Sequence, residues 1–155
     1  MHFNNLETRE ATRSDIPAIV RMLAQDRLGS GREQVADPLP DAYYHAFEQI
    51  AADPNNLLLV SVVDDRVVGT LQLTYTASLS YRGGWRATIE SVRTEESLRG
   101  RGIGTTLMRY AIELSKRKGC VLIQLSTHNT RKDAQRFYER LGFVASHVGM
   151  KLTLV

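Results

Sequence analysis

Apolar positions change their period several times along the chain, and each change marks an element. Alternation over residues 6–11 predicts a first strand. Ile16, Ile19, Val20 and Leu23 then recur at helical spacing, with Ser14 as N-cap and Asp15 and Pro17 in the first turn. That helix runs to about Gln25. Glycines and prolines make residues 29–40 a loop, and 41–52 read as a second helix. The Leu- and Val-rich stretches 56–63 and 67–76 flank Asp64, Asp65 and Arg66, the pattern of a hairpin. Residues 77–84 are a further turn and 85–92 a further strand.

The strongest helical pattern starts near Ile103. Ile103, Leu107, Ala111 and Leu114 form one apolar face, Arg109, Glu113 and Lys116 lie opposite, and Gly119 closes the helix. Residues 121–126 form a short, mainly apolar run, which predicts a strand covered on both faces. A last helix over 132–141 ends at Gly142, and 143–147 and 150–154 read as two short strands. The order β-α-α-β-β-β-α-β-α-β-β predicts one α/β domain over residues 1–155, built on a single mixed central sheet flanked by helices.

Composition narrows the class. Of 155 residues, 43% are apolar and 24% charged, as in a globular domain that needs no disulfide or metal to fold. The single cysteine, Cys120, excludes an internal disulfide. The apolar runs are too short to cross a bilayer, and the N-terminal residues lack a basic segment followed by an apolar one. A cytoplasmic location with no membrane partner is therefore expected. The formal net charge is only +3, and its densest run, Lys116, Arg117 and Lys118, sits where a helix C-terminus favours cations. No nucleic-acid partner is expected from that distribution. His2, His45 and His147 show no ligand spacing, so no metal site is expected. Cys120 reads as a small buried hydrophobe, and His128 as a loop residue that could relay protons.

The chemistry is concentrated between residues 89 and 107. A strand holding Ile89, Glu90, Ser91 and Val92 leads into Arg99, Gly100, Arg101, Gly102, Ile103, Gly104 and Thr105, and directly on into the strong helix. Three glycines at alternate positions let backbone N–H groups converge without Cβ atoms in the way. Those amides sit at a helix N-terminus, where partial positive charge collects, and the two arginines add bidentate donors. The result is an anion cradle suited to phosphate. A dinucleotide fingerprint would need glycine where Thr105 or Leu107 stands, and no Lys-Ser/Thr follows the glycines as an NTP loop requires.

Arg99, Gly102 and Gly104 match the Arg/Gln-x-x-Gly-x-Gly/Ala pattern of the GCN5-related N-acetyltransferase (GNAT) superfamily, which this segment resembles. Ala134, Phe137, Tyr138, Gly142 and Phe143 match a second pattern of the same superfamily, Ala-x-x-Phe-Tyr-x-x-x-Gly-Phe. The resemblance implies the acyl-CoA N-acyltransferase fold, with a mostly antiparallel sheet, and acetyl-CoA as cofactor. It implies that residues 99–105 bind the pyrophosphate and that Val92, Arg93 and Thr94 pair with the pantetheine arm. The Val92 N–H would point at the thioester oxygen, and Tyr138 would act as general acid near the sulfur. One position departs: the superfamily often has Asn three residues before the alanine, and here it is Arg131.

The residues suit that chemistry on their own terms. An amine of pKa ~10.4 must lose a proton to attack a thioester, and Glu90, beside the proposed cofactor arm, can accept it. A strand amide can donate to the oxygen that gains charge. A phenol of pKa ~10 can protonate a thiolate whose thiol has pKa ~8.5. The expected activity is acetyl transfer from acetyl-CoA to a primary amine of a small molecule or peptide in a ternary complex. A non-catalytic acyl-CoA sensor would keep the cradle without needing Glu90 or Tyr138. Residues 125–127, 131–138 and 146–147 also resemble aminoalkylphosphonate N-acetyltransferases, which implies a small amine bearing an anionic group. A homodimer is compatible with the sequence.

Overall fold

The structure is a computed structural model that describes residues 3, 5–27 and 31–154. Residues 1, 2 and 4 of the N-terminal stretch and 28–30 at the entrance to the first loop lie outside the described residues. The chain divides into two compact units, Met1–Gln124 and Leu125–Val155.

The first unit is an open five-stranded sheet in the order β1 (Leu6–Glu10), β2 (Asn56–Val63), β3 (Arg66–Ala77), β4 (Trp85–Thr94) and β5 (Cys120–Leu125). Neighbours from β1 to β4 are antiparallel. The connection from β4 to β5 runs through the helix α4 (Ile103–Arg117), a crossover of the kind a parallel neighbour needs, and the sheet is mixed. Asp64 and Asp65, both at positive φ (47° and 61°), form the two-residue turn of the β2–β3 hairpin. Such a turn matches the natural twist of the strands it joins.

Each face of the sheet has its own cover. On one, α1 (Ile16–Ala24) and α2 (Asp41–Ala52) close a core in which Ile16, Ile19, Val20 and Leu39 meet Val60 and Val62. The other carries Leu59, Leu71, Leu73, Ala87 and Ile89, all fully buried, as are Ile103, Leu107, Met108 and Ala111 of α4. Lys118, just past α4, lies over the rings of Tyr75 and Trp85 and donates to Asn55 Oδ1 at 2.9 Å. Gly69 lets α4 approach: a Cβ there would stand 3.1 Å from Ile103 Cγ2. Gly84 does the same for β5, since a Cβ would stand 2.6 Å from Val121 Cγ1.

Several elements differ from the sequence expectation. Ser14 does not cap α1. A turn of 3₁₀ helix, Arg13–Asp15, precedes it, and Asp15 Oδ2 accepts the Thr12 N–H at 2.7 Å and the Thr12 hydroxyl at 3.0 Å. Asp15, almost fully buried, also receives both terminal nitrogens of Arg9, at 2.7 and 3.2 Å. The turn 77–84 contains the short α3 (Ser80–Gly83), in which Tyr81 and Arg82 take left-handed φ of 52° and 59°. β5 is not covered on both faces: it is the last strand in the sheet order, none of its residues is buried and Val121 is half-exposed.

The second unit holds α5 (Lys132–Arg140), entered through a turn in which the Thr130 N–H and hydroxyl both meet His128 Nδ1. The Tyr138 carbonyl ends the helix, accepting from Leu141 and Phe143, and Gly142 follows at φ 94°. The two strands expected over 143–147 and 150–154 are absent among the described residues, and Val144, Val148, Met150, Leu152 and Leu154 are exposed. Alternating apolar residues become a strand only where a partner edge satisfies their backbone groups, and this unit supplies none.

Candidate active site

β4 is regular from Trp85 to Glu90, pairing Gln72 with Glu90 and Thr74 with Thr88. Pairing resumes one residue out of step, with Thr70 opposite Arg93 and Gly69 opposite Thr94. Leu71 thus faces both Ser91 and Val92, which is a β-bulge, and Ser91 sits at φ 54°. A bulge takes residues out of the ladder and re-aims what surrounds them, and a non-glycine at positive φ is held there at a cost. The Ser91–Val92 bulge was not foreseen from sequence; the alternation over 85–92 gives no hint of it.

Glu90 is the last regular residue before the bulge. It is exposed and makes no hydrogen bond or ion pair among the described residues. The side chain of Arg93 is committed elsewhere: its Nη2 meets Asp26 Oδ2 at 2.7 Å and its Nη1 the Val92 carbonyl at 2.8 Å. Asp26 lies just after α1 with its side chain only 6% exposed, so this pair ties the bulged strand to that helix.

Beyond Thr94 a 3₁₀ turn, Glu96–Leu98, leads to the glycine loop. Gly100 and Gly102 have φ of 77° and 86°, and no atom lies within 4 Å of where a Cβ would sit on either. The first intrahelical bond of the following turn is Thr106 N–H to Gly102 O, 3.0 Å, so the amides of Ile103, Gly104 and Thr105 stand ahead of it at the positive end of the dipole. Ile103 anchors this end, 1% exposed beneath Gly69. Arg99 and Arg101 are exposed, and Arg99 lies 3.8 Å from Glu96. An open loop lined by backbone amides, with exposed arginines at its rim, has the donors that a pyrophosphate such as that of acetyl-CoA would need.

The first unit therefore brings Glu90, Val92, Arg93, Thr94 and residues 99–105 together on one strand, one loop and one helix start. Tyr138 belongs to the second unit, half-buried on α5. Its ring lies 5.2 Å from that of Phe137 and 6.1 Å from that of Phe143, edge-on to the latter. His128 is held in the turn before α5. Cys120 is half-buried, and burial pushes its thiol pKa up, with Lys118 opposing, so it is poorly suited to be a nucleophile. Gly69 was also missed, although an isolated glycine in a strand pattern signals close approach of another backbone or a bulge.

A bulged strand, a glycine loop and a helix start in direct succession define an acyl-CoA N-acyltransferase fold. The chain belongs to the Acetyltransferase (GNAT) family, whose model matches residues 19–143. It is 29% identical over 142 residues to the aminoalkylphosphonate N-acetyltransferase of Salmonella typhimurium, covering 91% of this chain and 86% of that one. Over 89 residues it is 34% identical to the glucosamine 6-phosphate N-acetyltransferase of Trypanosoma brucei brucei, covering 57% of this chain and 58% of that protein. The crystal structure of a transcriptional regulator from Bacillus halodurans superposes with a TM-score of 0.94 at 51% identity, covering 97% of this chain and all of that one.

Proposed function

We propose that the protein is an acetyl-CoA-dependent N-acetyltransferase, a single domain that moves an acetyl group to the primary amine of a small molecule by direct attack in a ternary complex. The observation that carries this reading is the Glu90 carboxylate, without a hydrogen bond or ion pair among the described residues, one residue before the β4 bulge on the strand that leads into the glycine loop. Acetyl-CoA supplies an acyl group on a good thiol leaving group. The amides from Gly100 to Thr105, with Arg99 and Arg101, hold its pyrophosphate. The backbone of Val92, Arg93 and Thr94 pairs with its arm, and the Val92 N–H donates to the acyl oxygen as charge gathers there. Glu90 takes the proton from the incoming ammonium, directly or through water. Tyr138 gives its phenolic proton to the departing sulfur.

Aminoalkylphosphonate and glucosamine 6-phosphate, the acceptors in the names of two of the relatives, are small amines that also carry a phosphorus oxyanion, which supports a small-molecule acceptor. Gene regulation, the role in the name of the Bacillus halodurans protein, would call for a basic face, yet Arg66, Arg93 and Arg99 each lie against a carboxylate. The test is steady release of free CoA thiol with primary amines, compared between wild type and Glu90→Gln. Turnover in the variant should fall by about 10²–10⁴-fold with acetyl-CoA affinity unchanged. Equal activity in the two proteins at every pH would remove Glu90 from the mechanism.

A further inference from the structure

We infer that the acceptor is a small amine that also bears an oxyanion, and that Arg86 is the residue that binds the oxyanion. The inference rests on the N-acetyltransferase reading above and concerns the same site.

β3 and β4 alternate cleanly. Leu71, Leu73, Tyr75, Ala87 and Ile89 are buried on the α4 side. The opposite face presents Gln72, Thr74 and Thr76 of β3 against Glu90, Thr88 and Arg86 of β4, three successive polar rungs of which none is buried. The strip widens on both sides, because Gln72 Nε2 donates to Asn56 Oδ1 at 2.9 Å and Gln124 Nε2 to Thr88 Oγ1 at 3.2 Å. Its two charges are opposite in sign and stand at its two ends.

Glu90 and Arg86 make no hydrogen bond or ion pair among the described residues, whereas the half-buried Arg9 and Arg93 are matched to Asp15 and Asp26. Nor is Arg86 simply solvated: its Nε, like that of the ion-paired Arg93, is buried and has no hydrogen-bond partner among the described residues, but Arg86 has no carboxylate beside it to offset the loss. A buried donor left unmet is costly, and an anionic oxygen would meet it. Four residues of strand separate the two α-carbons by about 13 Å, a span that the long arginine side chain can shorten toward Thr88. A molecule whose ammonium sits at Glu90 and whose oxyanion reaches Arg86 would neutralise both ends, with hydroxyl and amide groups between them. Guanidinium takes a phosphonate, a phosphate or a carboxylate in the same bidentate way.

The experiment compares 2-aminoethylphosphonate, β-alanine and propylamine as acceptors at saturating acetyl-CoA, on wild type, Arg86→Gln and Arg86→Lys. Calorimetric titration of 2-aminoethylphosphonate and β-alanine into CoA-saturated protein reads acceptor binding without turnover. Wild type should prefer an anionic amine to propylamine, and which of the two it prefers identifies the oxyanion. Arg86→Gln should raise KM for that acceptor by about 10–100-fold while leaving propylamine kinetics and CoA affinity alone, and Arg86→Lys should recover part of the loss. A wild-type preference for propylamine, or an equal loss with all three amines, would overturn the assignment. If no amine is acetylated but an anionic amine binds wild type and not Arg86→Gln, the transfer reading fails and this one stands. Binding that is absent, or equal in both proteins, defeats it whatever the turnover.

Discussion

A Cβ placed on Gly69 would stand 3.1 Å from Ile103 Cγ2 and 3.4 Å from Ser61 Cβ, so β3 and the head of α4 meet at a point where only glycine fits without adjustment. Gly69→Ala must push Ile103, and with it the amides of the first helical turn. Overpacking of this kind costs about 1–3 kcal/mol. The variant should melt lower and bind acetyl-CoA more weakly, although residue 69 is not proposed to touch the cofactor. A melt and a calorimetric titration check both. Unchanged affinity beside a lowered melting temperature would show that the loop tolerates displacement of its anchor.

Gly102 offers the reverse case. Its Cβ would meet no protein atom within 4 Å, so Gly102→Asp should lose only the ~1–2 kcal/mol of a left-handed non-glycine residue. Acetyl-CoA binding should nevertheless fall severely, because a side chain and a negative charge would occupy the cradle. Arg99→Ala should weaken binding less, since Arg99 is exposed and already shares its charge with Glu96. Titration of both variants tests the ranking, and near-wild-type affinity in Gly102→Asp would displace the pyrophosphate from this loop.

Tyr138→Phe keeps the ring contacts with Phe137 and Phe143 and removes the phenolic hydroxyl, with the proton it can give. Turnover should drop by about tenfold to a few hundredfold, toward the low end for acid–base groups because a thiolate leaves readily. The melting temperature and acetyl-CoA affinity should hold. Intact turnover would leave the thiolate to take its proton from water.

Loss of stability in acid should trace to Asp15. Burial raises its carboxyl pKa, but the hydrogen bonds from Arg9 and Thr12 and the charge of Arg9 outweigh it, so the net shift is below the ordinary value. A depressed carboxyl stabilises the fold above its unfolded pKa of ~3.9, and that contribution is lost as pH falls through the folded value. Asp15→Asn should therefore cost about 2 kcal/mol at neutral pH and show a flatter decline below pH ~4. Parallel melting curves for the two proteins across that range would place the acid-sensitive group elsewhere.

What the sequence made legible follows from the range of the forces involved. The glycine loop, the hairpin at Asp64 and Asp65, and the apolar face of α4 are local patterns, and each formed where its pattern lies. The Ser91–Val92 bulge depends on how Leu71 of another strand is opposed, which no single segment encodes. The C-terminal segments 143–147 and 150–154 failed for a related reason, since their alternation supplies side chains but not a partner edge. Glu90 is proposed from its chemistry, whereas Arg86 drew no notice, because its proposed role rests on sharing a face with Glu90 without a partner among the described residues.

The bulge also changes the arithmetic of β4. In an unbroken strand, residues three apart point to opposite faces; here Glu90 and Arg93, opposite Gln72 and Thr70, point to the same one. Ser91 acts as a half-step spacer. Removing it would turn Arg93 away from Asp26 while leaving Arg86, Thr88 and Glu90 in phase. The strand thus consists of two segments whose side chains can be varied separately, one carrying Arg86, Thr88 and Glu90 and the other fastening α1, with a single residue setting the phase between them.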